Sequence, residues 1–128
     1  MAMVFVDNIF NINPIDYDEV WIICYSVFEI QNMFTTYDNV LHVPELAPSE
    51  SLFKEYRRLV DLSKWGKNSF EDYYVPQFLK DMQREDSKKM LQVLLTESKK
   101  KDIVLACFCS DESLCHRSIV AGILFNMG

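Results

Sequence analysis

Glycine and proline are scarce: three glycines and four prolines in 128 residues leave little material for flexible linkers or low-complexity loops. No internal repeat and no Gly/Ser-rich stretch divides the chain, so a single domain over residues 1–128 is expected. Long apolar runs are missing too. The longest, Val20 to Phe28, falls well short of the roughly 18 residues of a membrane span. Met1 to Phe10 lacks the basic start and apolar stretch of a secretory signal. Basic residues are in deficit, 13 against 19 acidic ones, for a formal net charge of −6. Such a surface repels phosphate backbones on average, so duplex nucleic acid is not an expected partner, and no membrane association is expected. The local basic groups Arg57–Arg58 and Lys99–Lys101 read as solvated helix faces and ends.

What is present is ordinary globular material, with 49% apolar and 25% charged residues, which argues against disorder. Four cysteines occur: Cys24 sits inside the long apolar run, and the other three cluster late. With no export signal they read as reduced thiols, and a cytoplasmic location is expected.

Two runs read as strands buried on both faces. Val20 to Val27 is β-branched-rich with no polar alternation, and Asp102 to Phe108 is apolar nearly throughout; this pattern belongs to parallel sheets. Shorter strands are expected over Met3–Val6 and Asn39–Val43, with a loop or short turn over Asn11–Glu19. Ser49 is placed to cap a helix in which Leu52, Tyr56, Leu59 and Val60 share one side. Further helix starts are read at Ser69 and Ser87, with Pro76 forcing a kink near Asp72 or a restart. A last, unusually apolar helix opens at Cys115, with Ile119, Val120, Ile123, Leu124 and Met127 mostly buried. Together these elements predict an α/β fold: a single three-layer domain with a small, mostly parallel sheet and helices on both faces. Ligands bind such sheets at the carboxyl ends of the strands. Residues 108–117 fall at that edge.

The segment Glu45-Leu-Ala-Pro-Ser49, the following helix with Tyr56, and the aromatics Phe70, Tyr73 and Tyr74 form one part of a pattern. Asp102-Ile-Val-Leu-Ala-Cys107 and Cys115-His-Arg117 complete it. Over roughly residues 40 to 127 this pattern resembles the domain-of-unknown-function family 488. The resemblance implies a small prokaryotic α/β domain, and it carries Cys107, Cys115, His116 and Arg117 over as site positions without fixing an activity. Cys109 departs from it, standing where an acidic residue is expected. This departure adds a thiol to the site or removes a carboxylate from it.

The residues of the segment allow three readings. A helix beginning at Cys115 offers backbone N–H groups and a positive dipole end, and Arg117 adds a planar fork for phosphate or carboxylate. A small anionic, nucleotide-like ligand would then be held by Arg117, Cys107 and Cys109. Against this stands pairing of Arg117 with Asp111 or Glu112 of the preceding loop. In the second reading Cys115 is a nucleophile with its pKa lowered by the helix end, and His116 is its catalytic neighbour. The spacing does not match phosphatase or rhodanese loops, since Cys109 precedes Arg117 by eight positions and Cys115 by two. In the third the cluster is structural in a non-catalytic interaction protein. Zinc on Cys107, Cys109, Cys115 and His116 is disfavoured, because adjacent residues on a helix diverge by about 100°. No cofactor is expected. His42 reads as a satisfied half-buried histidine, Trp65, Tyr73 and Tyr74 as core or groove wall, and Cys24 as core packing.

Overall fold

The structure, a computed structural model, describes residues 4–24, 37–107 and 116–127. Four strands, β1 (Val4–Asn8), β2 (Glu19–Ile22), β3 (Val40–His42) and β4 (Ile103–Cys107), form one sheet in the order β1-β4-β2-β3. Every pairing is parallel. The sequence therefore folds as the small α/β domain that its apolar runs predict. β4 is interior, flanked by β1 and β2, and all five of its residues are buried. That burial explains why its sequence shows no polar alternation.

Alternation along the strands divides the core in two. Trp21, Ile23, Ile103 and Leu105 pack with Leu52, Phe70, Tyr74, Phe78, Leu91, Leu94, Val120 and Leu124, side chains drawn from all the long helices. Val20, Ile22, Val104 and Ala106 face the other way, against Ile9, Ile12 and Tyr17. On that second side the described cover is a pair of 3-10 turns, Ile9–Asn11 and Pro14–Asp16. Asn8 and Asn13 initiate these turns by accepting the backbone N–H groups of Phe10 and Ile15.

Helix α1 (Glu50–Asp61) begins as the sequence predicts, with Ser49 Oγ accepting from Leu52 N. A short helix α2 (Lys67–Ser69) leads into a π-helical turn over Phe70–Tyr74 and then α3 (Val75–Asp81). As the sequence predicts, the α-helix starts afresh beside Pro76, which sits in the first turn of α3, but what precedes it is a π-helical turn and not a break. The proline lacks an N–H and its ring crowds the carbonyl four residues back. The widened turn carries Val75 N to Phe70 O instead and keeps the stretch helical. Phe70, Tyr74 and Phe78 stack along it, with centroids 5.8 and 6.0 Å apart.

Two expected caps play other parts. Ser69 ends α2, and its Oγ accepts from Gly66 N while lying 3.0 Å from Lys64 O. Helix α4 (Glu85–Ser98) starts two residues before Ser87, whose buried hydroxyl donates to Glu45 O. The last helix, α5, runs His116–Met127. Val120 and Leu124 are buried, but its C-terminal part is more exposed than its composition predicts, Phe125 reaching 86%. No helix among the described residues is long and apolar enough to cross a membrane.

Candidate functional site

In a parallel sheet all strands end on one edge. Here Asn8 lies opposite Cys107 and Ile22 opposite both Ala106 and His42. The ends of β1, β4, β2 and β3 thus form one rim, and α5 begins beside it. Of the predicted site residues, the structure describes Cys107, His116 and Arg117. Cys109 and Cys115 lie outside the described residues, as do Asp111 and Glu112, the proposed competitors for Arg117.

Cys107 closes β4 and is 1% exposed. His116 opens α5 at 6% exposure, and its Nε2 is 2.5 Å from Ile23 O. A carbonyl only accepts, so Nε2 carries the proton and the neutral ring keeps its lone pair on Nδ1. The ring packs against Phe78, centroids 5.4 Å apart, at the end of the Phe70–Tyr74–Phe78 stack. Burial pushes the His116 pKa below its ordinary value, and the Arg117 charge adds to that shift. The Cys107 thiol and the Ile23 carbonyl oppose it. His116 is therefore an uncharged donor that ties α5 to the end of β2.

Arg117 is 2% exposed in the first turn of α5. Its guanidinium is a planar fork of donors. A charge so far removed from water demands a negative or strongly accepting counterpart. The helix start adds its own positive potential at the same place.

The second histidine was not legible as part of this rim. His42 ends β3, is exposed, and its Nε2 lies 2.9 Å from Cys24 O. Its Nε2 is satisfied, as the sequence suggests, but the residue is exposed and not half-buried, because it closes an edge strand at the rim. The signal in the sequence was its position as the last residue of a strand in a parallel sheet. Cys24 is buried core, with Sγ 3.9 Å from Ala106 O.

The segment Glu45–Ser49 is held from behind. Arg84 Nη2 donates to Ala47 O, Ser87 Oγ to Glu45 O, and Ser49 N to Asp81 Oδ2. Leu46, Ala47 and Pro48 are buried. This loop fixes the end of β3, and with it His42, against the N-terminus of α4.

Other features lie apart from the rim. Trp65, Tyr56 and Tyr74 make edge-on contacts with one another. Lys101 pairs with Glu19 and Glu97, and Arg58 with Glu55. A groove of about 270 Å³ is lined by Leu79, Met82, Leu91, Ile123 and Met127, with Gln83, Lys88 and Gln92 at its polar positions. Among the described residues no group of three or more His, Cys, Asp or Glu side chains is gathered as metal ligands.

A family model, DUF488-N3a, described as the active DUF488-N3 subclade, matches residues 11–128. No curated protein and no solved structure matches the chain.

Proposed function

This chain belongs to the DUF488-N3a family, and from that premise we propose that it binds or processes a small anionic ligand, nucleotide-like or otherwise phosphorylated, at the segment 107–117. Arg117 carries the reading: a planar guanidinium fork, 2% exposed, in the first turn of the helix that follows the interior strand. Parallel sheets take ligands at this edge, and helix starts favour phosphate. In this reading Arg117 anchors the anion, and Cys107 and Cys109 are its other ligand-binding residues. Neutral His116 holds α5 in register with β2, so the helix start and the strand ends face one ligand.

A second reading makes the protein a cysteine-dependent enzyme. The description of the subclade as active favours it, as does the position of Cys115 directly before His116 and Arg117. Cys115 is then the nucleophile, His116 its neighbouring catalytic group, and Arg117 stabilises charge on the reacting anion.

A thermal-shift panel of inorganic phosphate, pyrophosphate and mononucleotides tests the first reading. Ligand at about a hundred times its Kd stabilises the native state by about 2.7 kcal/mol, which is a rise of several degrees for a domain of this size. Lys100→Ala is expected to leave the shift intact. No shift with any member of the panel contradicts the anion reading.

A further inference from the structure

The two histidines of the chain grip consecutive backbone carbonyls of one strand end. His116 reaches Ile23 O and His42 reaches Cys24 O. Successive carbonyls of a strand point to opposite neighbours, roughly in the plane of the sheet. Ile22 O accordingly accepts Val43 N on the β3 side, and Ile23 N donates to Ala106 O on the β4 side. The two rings therefore flank the end of β2 from either side, both at the rim where ligands bind.

Their settings differ in the respect that matters for a ligand. His116 is buried, whereas His42 is exposed. A carbonyl only accepts, so His42 Nε2 is the donor to Cys24 O and Nδ1 is the ring position left to accept. Among the described residues Nδ1 makes no hydrogen bond. An oriented, solvent-accessible acceptor at the ligand edge complements a donor, not an anion. The strands also set a scale. β3 and β4 are separated by β2, two strand spacings or about 10 Å. A single phosphate is too small to touch the ends of both β3 and β4. A phosphate ester carrying hydroxyl groups a few bonds away, as a nucleotide does, spans them.

We propose that His42 is a second ligand-contacting residue of this site, its Nδ1 accepting a hydrogen bond from a hydroxyl of a phosphorylated ligand anchored near Arg117. The proposal rests on the anion-site reading and narrows it to hydroxyl-bearing phosphate esters, nucleotides foremost, over inorganic phosphate. His116 then positions α5 and His42 selects the ligand.

His42→Phe, read alongside the melting temperature, separates the proposal from a merely structural role. The phenyl ring keeps the ring shape but carries neither donor nor acceptor, so loss of ligand and loss of fold are measured separately. The probes are AMP, its 2′,3′-dideoxy analogue and inorganic phosphate, titrated calorimetrically into the native and variant proteins. Losing the one hydrogen bond is expected to weaken AMP about tenfold. In the variant AMP falls to the affinity of the dideoxy analogue, while phosphate binding stays at its native value and the melting temperature shows the variant folded. Long-range ¹H–¹⁵N spectra of the native protein should show the Nε2-protonated form of His42, with Nδ1 shifting on addition of AMP. Equal AMP affinity in native and variant proteins overturns the role of His42 and leaves the anion site standing. A spectrum showing Nδ1 protonated overturns it without any ligand. If native protein binds neither phosphate nor AMP, the anion site itself is refuted and the proposal with it.

Discussion

Acid should weaken this protein through His116 in a way that one substitution removes. The imidazole is buried against Phe78 and donates to Ile23 O, and burial holds its pKa below the ordinary value. In the unfolded chain the same ring titrates near pH 6.5. As pH falls below that point the unfolded state takes up a proton that the folded state refuses. Stability contributed by the neutral buried ring is therefore full above about pH 6.5 and declines through the window down to the depressed folded pKa. One proton of difference is worth about 1.4 kcal/mol per pH unit, which is the steepest slope this loss can have. In His116→Gln the amide can still donate to Ile23 O and carries no titrating group. Urea denaturation of both proteins between about pH 5 and pH 7.5 gives two stability curves, and titration of the other groups is common to both. Their difference should fall with acid, no more steeply than that slope. Parallel curves would refute the claim that His116 is buried and neutral.

Three other outcomes check the fold and the thiols. Ser87→Ala removes the donor to Glu45 O and a partner of Arg84; it should cost about 1–3 kcal/mol in chemical denaturation, and an unchanged midpoint would mean the Glu45–Ser49 loop is held by packing alone. Leu94→Ala empties a fully buried position in the helix-side core and should cost about 2.5–5 kcal/mol; a loss below about 1 kcal/mol would contradict that placement. In a short iodoacetamide pulse near pH 7 followed by peptide mapping, Cys115 should react faster than the buried Cys24. If Cys115 stays unlabelled until the protein unfolds, the cysteine-enzyme reading falls.

The sheet was legible because its interior strand has no face to spare for polar residues: Ile103 to Cys107 announces itself by composition alone. The start of α1 was legible because Ser49 and Glu50 satisfy local needs of a helix end. Pro76 was visible as a breaker, but a π-helical turn as the remedy depends on how Phe70, Tyr74 and Phe78 stack in the core, which local pattern does not encode. Ser87 read as a cap because serine commonly caps; its partner, Glu45 O, is 42 positions away. The same holds for the rim. Arg117 could be placed there from strand order and helix onset. The joining of His116 to Ile23 across 93 positions, and of His42 to Cys24 across 18, emerges only when β2, β3 and α5 are assembled.

Calorimetric titration of pyrophosphate into native protein and Arg117→Lys tests the central claim most directly. Lysine keeps the charge but loses the planar fork, and the variant's fold can be checked by its melting temperature. The native protein should bind saturably, with Arg117→Lys weaker by roughly thirtyfold, the loss of about 2 kcal/mol from one bidentate contact. Absence of binding by the native protein, or equal binding by a folded Arg117→Lys variant, would contradict an anion site built on Arg117.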